Sequence, residues 1–115
     1  MFGHPAHLSQ LRQIADAHGL KLVEDNAQAI MATENGRLTG TIGDIGIFSL
    51  NIHKHIHTGE GGVLTTNNDA LALRMQMIRN HAENAVEWQK LEDIANLIGF
   101  NFRLPELSAA MGQVQ

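Results

Sequence analysis

The chain has 115 residues, of which 43% are hydrophobic and 17% are charged, and its formal net charge is −4. This length allows one modest core, and the composition is that of a globular protein. The chain contains no cysteine, which excludes a disulfide framework, a thiolate metal site and a cysteine nucleophile. The mild acidity argues against binding to a phosphate backbone, so we expect no nucleic-acid partner.

Targeting signals are not evident in the sequence. The N-terminal residues have neither the basic start nor the apolar run of a signal peptide, and no stretch approaches the length needed to cross a bilayer. We therefore expect a cytoplasmic protein that does not contact the membrane. The 11 glycines cluster in the middle of the chain instead of marking a linker between domains.

The first predicted element is an amphipathic helix. Leu8, Leu11 and Ile14 recur at helical spacing. Pro5 suits the first turn of this helix, and Gly19 suits the position just past its end.

Three short apolar segments predict strands, at residues 20–24, 45–50 and 63–66, and we expect the first of them to be buried. The polar segment 25–28 follows the first strand directly, and in open α/β sheets ligands bind at such strand ends. Between the first two strands, Asn35-Gly36 is typical of a tight turn.

Two further helices are predicted. Asn68 can cap a helix that runs to about Arg79. A final helix is predicted from Pro105, with its apolar face turned inward. The residues of that face are Leu107, Ala110, Met111 and Val114. The alternation of helices and strands with short connections indicates an α/β layer architecture.

Lys54 lies in a polar, glycine-rich segment between the second and third predicted strands. Taken alone, a lysine in a loop is most often a solvated surface charge. Its sequence context is unusual, however, because Ser49 precedes it, the glycine-rich run 59–62 follows it, and Asp25 and Gln28 stand at the end of the first strand. Together these residues are typical of a pyridoxal phosphate site.

The chemistry explains why such residues are needed. An amine condenses with an aldehyde only in its uncharged form, which partial burial and closely packed glycine backbone favour. The ring nitrogen of pyridoxal phosphate withdraws electrons when it is protonated, which requires an anion opposite it. Asp25 is suitably placed for that role at a strand end. The alternative for Asp25 is to cap the turn that follows.

Six segments in order along the chain resemble the DegT/DnrJ/EryC1/StrS family of sugar aminotransferases. These segments are 24–28, 43–51, Lys54, 58–62, 79–81 and 99–103. The resemblance implies an α/β fold, namely the central part of the large domain of a fold-type-I pyridoxal-phosphate-dependent transferase, with a mixed, mostly parallel sheet flanked by helices. Residues 1–115 would then be a partial cofactor-binding domain without its N-terminal part and without the C-terminal small domain, and we expect little turnover from it alone.

The resemblance also implies a function and a set of site residues. Family members are usually homodimers that transfer an amino group, typically from glutamate, to a nucleotide-linked keto sugar. By resemblance, Lys54 bonds to the aldehyde of pyridoxal 5'-phosphate and Asp25 pairs with its ring nitrogen. Gln28 lies beside the ring and its phenolic oxygen, and Ser49 holds the phosphate. Asn101 reaches the phosphate bound in the neighbouring subunit.

Other interpretations remain open. The chain would be an inert remnant or interaction piece of such an enzyme if its missing parts are essential. His53, His55 and His57 alternate, and on an extended segment all three would project to one side, as metal ligands do. No carboxylate accompanies them, so we predict no metal. Some relatives with histidine at the lysine position are dehydratases. The spacing to the glycine-rich run puts Lys54 at that position, which favours amino transfer.

Overall fold

Helices and strands alternate along the chain in the computed structural model, which describes residues 2–83 and 97–115. Within these residues the elements are α1 (Leu8–Ala17), β1 (Val23–Asp25), β2 (Thr33–Glu34), β3 (Arg37–Leu38), β4 (Ile45–Ser49), β5 (Gly62–Thr65), α2 (Asp69–Arg79) and α3 (Glu106–Gln113). No helix in the described part of the chain is long and apolar enough to cross a membrane.

The described main sheet has the order β1-β4-β5. Strand β4 lies parallel to β1, with Asp25 opposite Ile47, and antiparallel to β5, with Ser49 opposite Gly62. The mixed sheet that was predicted is therefore confirmed. Because β1 and β4 are parallel, their carboxyl ends, at Asp25 and Ser49, lie at the same edge of the sheet. This edge is where a ligand is expected.

Helix α1 was predicted correctly in type and approximate extent. It begins at Leu8, so Pro5 precedes the helix instead of occupying its first turn, and Gly19 follows its end as predicted. Leu8 is buried, whereas Leu11 and Ile14 are exposed. The described residues thus cover only part of the apolar face.

The prediction of a buried strand over residues 20–24 was wrong in both extent and burial. The strand is Val23–Asp25, and the side chains of Leu20 and Val23 are exposed. The hydrophobic side chains had suggested that Leu20 and Val23 would be buried. The sequence does not reveal which face of a three-residue strand is covered by other segments, so this expectation failed.

The buried residue of β1 is Glu24, which is 3% exposed. Its carboxylate accepts hydrogen bonds from the main-chain N–H groups of Gly40, at 2.6 Å, Ile42, at 2.7 Å, and Gly43. Burying a carboxylate is costly unless hydrogen-bond donors replace its water. Glu24 therefore fastens the loop that precedes β4 to β1, and this sets where β4 begins.

Asp44 joins α1 to the sheet. Its carboxylate accepts hydrogen bonds from the Leu22 N–H and the Arg12 guanidinium, both at 2.8 Å, and from the Lys21 ammonium at 3.0 Å. These contacts hold the pKa of Asp44 well below its usual range. The hydrogen bond from Leu22 contributes most, followed by those from Arg12 and Lys21. The fold therefore stabilises the charged form of Asp44.

The tight turn at Asn35-Gly36 joins β2 to β3 in a short antiparallel hairpin. Both turn residues have positive φ, +52° and +76°, which suits Asn and Gly in a two-residue hairpin loop. The hairpin strands were not predicted from the sequence. Glu34 binds the hydroxyl of Ser9 on α1, and this hydrogen bond lowers the pKa of the Glu34 carboxyl.

Helix α2 matches its prediction, and the side chain of Asn68 caps it by accepting from the Leu71 N–H at 3.0 Å. Helix α3 begins after Pro105, as predicted. The inward orientation of its apolar face was wrong, because Leu107 is 82% and Val114 is 86% exposed. The described residues leave this face uncovered.

Candidate active site

A cavity of about 490 Å³ opens at the edge where β1 and β4 end. Its walls come from residues 2–3, from residues 26–30 after β1, from 48–49 at the end of β4, and from 53–56 in the next loop. The volume is within the range of about 300–1,000 Å³ that small-molecule sites occupy. A larger cavity of about 690 Å³ lies between β5 and α2, but none of the predicted site residues lines it.

Three of the predicted site residues meet at the first cavity. Gln28, Ser49 and Lys54 all belong to its lining, although they come from three different segments of the chain. Asp25 lies beside it at the end of β1, with an exposed side chain. Asn101 lies outside the lining and is exposed.

The carboxylate of Asp25 shapes the turn after β1. Its Oδ1 atom accepts from the Ala27 N–H at 3.1 Å, so the capping role that the sequence left open is present. The next residue, Asn26, is 5% exposed, and its main-chain N–H donates to the Ile47 carbonyl of β4 at 2.8 Å. These contacts hold the start of the cavity wall against the sheet.

The loop that carries Lys54 is closed at its base by side chains. Asn51 Nδ2 donates to Glu60 Oε1 at 2.7 Å, and Asn51 Oδ1 accepts from the His53 N–H at 3.0 Å. The Lys54 N–H donates to the Asn51 carbonyl at 2.9 Å, which forms a tight turn just before the lysine side chain. Sequence reasoning assigned no role to Glu60 and did not single out Asn51. Asn51 and Glu60 lie at opposite ends of this loop in the sequence, and that placement is the signal from which their contact could have been predicted.

The glycine-rich run packs against protein atoms at Gly61. A Cβ atom there would lie 2.7 Å from Thr58 Oγ1 and 3.0 Å from Leu104 Cδ1, so any larger residue would push these groups apart. Thr58 is 3% exposed and donates to the Glu60 carbonyl at 2.9 Å. The glycine backbone was expected to pack close to a cofactor; at Gly61 the structure shows it packed against Thr58 and Leu104 of the chain itself.

The histidines do not form the arrangement that the metal hypothesis requires. Residues 52–56 form turns and bends, so the extended segment that would project His53, His55 and His57 to one side is absent there. Among residues 2–83 and 97–115, no group of three His, Cys, Asp or Glu side chains is placed to hold a metal ion. His53 and His55 instead belong to the cavity lining.

Asn101 sits in a segment that is fixed to the end of α2. Its backbone forms an antiparallel bridge with Asn80, and Arg103 Nη1 donates to Asn80 Oδ1 at 2.9 Å. The flanking rings of Phe100 and Phe102 stack with their centroids 5.1 Å apart. This arrangement gives Arg103, which had no predicted functional role, a structural one.

Comparison with known proteins gives a match over the whole chain. The profile of the DegT/DnrJ/EryC1/StrS aminotransferase family matches residues 1–115. The chain belongs to this family. The family resemblance that was drawn from the ordered motifs is therefore confirmed.

Individual family members agree with this assignment. GDP-perosamine synthase of Caulobacter vibrioides is 35% identical over 117 residues, an alignment that covers 100% of this chain and 30% of that protein. The crystal structure of an aminotransferase from Psychrobacter cryohalolentis superposes with a TM-score of 0.88 at 32% identity, over 99% of this chain and 31% of that one. The predicted α/β fold is thereby confirmed, and the chain spans about a third of the length of its relatives.

The cofactor of the family is pyridoxal phosphate, as predicted. One solved relative is the Escherichia coli GDP-4-keto-6-deoxy-D-mannose-3-dehydratase with bound hydrated pyridoxal phosphate. It has a TM-score of 0.81 and 28% identity, over 99% of this chain and 33% of that one. The donor set of the cavity fits such a group, since it combines the Lys54 amine for an aldehyde with the Ser49 hydroxyl and the Gln28 amide for oxygen atoms.

Proposed function

We propose that the protein is the cofactor-binding part of a pyridoxal-phosphate-dependent aminotransferase that transfers an amino group from glutamate to a nucleotide-linked keto sugar. The observation that carries this proposal is the meeting of Lys54, Ser49 and Gln28 in one cavity at the carboxyl edge of parallel strands. A nucleotide-sugar substrate is supported by the name of the Caulobacter relative, GDP-perosamine synthase.

We also propose that residues 1–115 form a partial domain. The support is the coverage of the relatives, since the whole chain aligns with 30% of the Caulobacter protein. Uncovered apolar side chains, such as Leu107 on α3, are consistent with neighbouring elements elsewhere in a larger protein. Turnover therefore belongs to the whole protein, whereas cofactor attachment is a property that residues 1–115 can be asked to show.

Each site residue has a proposed task. Pyridoxal phosphate, when bound, supplies an aldehyde and an electron-withdrawing ring. Lys54 would hold the group through its Nζ atom, which would bond to the aldehyde, and the same amine would serve as the acid–base group of the site. The Asp25 carboxylate would stabilise a proton on the ring nitrogen, and the Ser49 hydroxyl would donate to the phosphate. Gln28 would orient the ring through the phenolic oxygen of the ring.

The fifth residue, Asn101, supports a homodimer. It is exposed and lies outside the cavity of its own chain, so its side chain is available to a neighbouring subunit. We propose that it reaches the phosphate bound by that subunit, and that each site in the whole protein is built from two chains.

Lysine at position 54 favours amino transfer over dehydration. The family resemblance implies that some relatives with histidine at this position are dehydratases, and a histidine cannot bind the cofactor aldehyde as an amine does. His53 and His55 flank Lys54 in the cavity lining, and the spacing from Lys54 to the glycine-rich run 59–62 supports the assignment of this position to the lysine.

The proposal is tested by covalent trapping. The 115-residue chain is mixed with one equivalent of pyridoxal phosphate and reduced with borohydride, and the modified residue is mapped by mass spectrometry. We expect the label on Lys54, and we expect Lys54→Ala to lose it. Lys21→Arg is the matched control, because Lys21 is 78% exposed and lies at Asp44, away from the cavity. Labelling of Lys21 with none at Lys54 would contradict the proposal.

The transfer reaction is tested on the whole protein. With pyridoxal phosphate bound, a nucleotide-linked keto sugar and glutamate should give the amino sugar and 2-oxoglutarate. Glutamine in place of glutamate tests the donor, and a free keto sugar tests the need for the nucleotide. Formation of a dehydrated sugar without a new amino group would overturn the assignment of amino transfer.

A further inference from the structure

The C-terminal residue of the sequence contacts the loop that carries Lys54. The Gln115 side-chain amide binds both polar main-chain groups of His57. Its Oε1 atom accepts from the His57 N–H at 3.0 Å, and its Nε2 atom donates to the His57 carbonyl at 2.6 Å. The same Nε2 atom donates to the Met111 carbonyl at 3.1 Å, which ties the amide to α3. The Gln115 amide therefore pairs with both the N–H and the carbonyl of His57, as the main chain of a neighbouring strand would.

Packing brings α3 against the same part of the loop. A Cβ atom at Gly112 of α3 would lie 3.0 Å from Thr58 Cγ2. Thr58 is nearly fully buried, and its main-chain N–H donates to the carbonyl of Leu50, which directly follows β4. Helix α3 and Gln115 thus support the loop at residues 57–58.

We propose that Gln115 is a positioning residue for Lys54, an inference that rests on the proposed function. The lysine lies between two anchors: its own N–H is bound to Asn51, and three residues later His57 is bound to Gln115. Residues 53–56 between these anchors form one wall of the cavity. Without Gln115, the main-chain groups of His57 lose these partners and the nearest remaining attachment is at Thr58, whose N–H donates to the Leu50 carbonyl. Residues 53–56 then have more freedom, so that Lys54 Nζ spends less time where a bound aldehyde would be.

The test separates the hydrogen bonds from the packing. Gln115→Met keeps the length of the side chain but removes both bonds to His57, and Gln115→Ala removes the bonds and the packing. Gln113→Met is the control, because Gln113 is exposed on α3 and its side chain makes no hydrogen bond within the described residues. Circular dichroism of each 115-residue variant shows whether the fold is kept, and Gln115→Met decides if Gln115→Ala loses it.

Two readouts are measured on each variant. The first is the exchange rate of the His57 amide hydrogen, which we expect to rise about 5- to 10-fold in Gln115→Met, the effect of one ordinary hydrogen bond. The second is the rate of borohydride-trapped labelling of Lys54 as a function of pyridoxal phosphate concentration. At saturation this rate should fall about 10- to 100-fold, as expected when a reacting group is misplaced. The half-saturating concentration should stay unchanged, because Ser49 and Gln28 lie outside the loop.

The outcomes distinguish this inference from the proposed function. Absence of label at Lys54 in the unaltered chain overturns both. If the unaltered chain is labelled and Gln115→Met is labelled at the same saturating rate, the positioning role alone is wrong. A rise in the half-saturating concentration together with a fall in the rate would indicate general loss of structure and would also overturn the role.

Discussion

The Asp25 carboxylate accepts a hydrogen bond from the main-chain N–H of Ala27, at 3.1 Å. Ala27 lines the cavity, so the carboxylate shapes one of its walls. The same carboxylate is the proposed partner of the cofactor's ring nitrogen. The turn requires only an acceptor oxygen, whereas the ring nitrogen requires a negative charge, and the two roles are therefore separable by substitution.

Asp25→Asn keeps an oxygen that can accept from the Ala27 N–H but removes the charge. We expect the urea unfolding midpoint to stay close to that of the unaltered protein, while turnover of the whole protein falls about 10- to 100-fold, as for loss of a charge-assisted hydrogen bond. Asp25→Ala should lower both. Near-normal turnover of Asp25→Asn would leave Asp25 with the turn as its only role.

Lys54→Arg keeps the positive charge and most of the length of the side chain. The guanidinium stays protonated and does not condense with an aldehyde, so we expect turnover to fall at least about 100-fold, the lower range for loss of a positioned acid–base group. Lys54→Ala should be equally inactive. Lys21→Arg, which retains a cation beside Asp44, should leave the rate unchanged. Substantial turnover by Lys54→Arg would show that a different group carries the chemistry.

Asp44 predicts a dependence of stability on pH. The pKa of its carboxyl is lower in the folded than in the unfolded state, mainly because of the Leu22 N–H and then Arg12. The charged carboxylate therefore stabilises the fold above an unfolded-state pKa of about 3.9, and this contribution is lost as the pH falls below it. The stability difference between the unaltered protein and Asp44→Asn should be constant from pH 7 to 5 and shrink by pH 3. Urea denaturation at each pH measures it, and an equal difference at pH 7 and pH 3 would refute the role.

Glu24→Gln tests the buried carboxylate of β1. The Glu24 carboxylate now accepts from main-chain N–H groups that include those of Gly40 and Ile42. The amide N–H group of a glutamine would face one of these donors and could not accept from it. We expect the free energy of unfolding to fall by about 2–3 kcal/mol, the scale of hydrogen bonds to a charged group. Glu83→Gln is the control, since the Glu83 side chain is exposed. Equal unfolding midpoints for the two variants in urea would contradict the role of Glu24.

Local signals were reliable where one residue type has a clear local preference. Asn68 caps α2, and Asn35-Gly36 forms the hairpin turn, because capping and positive φ are properties of the residue and its immediate neighbours. The sequence also predicted strand ends within one residue of Asp25 and of Ser49, since polar residues follow directly after apolar segments there.

Burial was predicted less well. Leu20 and Val23 were expected inside, and Leu107 and Val114 were expected to face inward, yet all four are exposed. An apolar pattern indicates which face of an element would gain from burial. It does not tell which other segment covers that face, and in the described residues these faces have no cover.

The sequence by itself determined the family, the order of the three helices and of the three strands of the main sheet, and the approximate ends of those strands, because motifs and local preferences are properties of contiguous residues. Only the tertiary structure decided that Glu24 is buried under the N–H groups of a loop, and that Gln115 binds His57 across 58 positions of the chain. A hydrogen bond between distant residues depends on which segments fold side by side, and no local pattern records that.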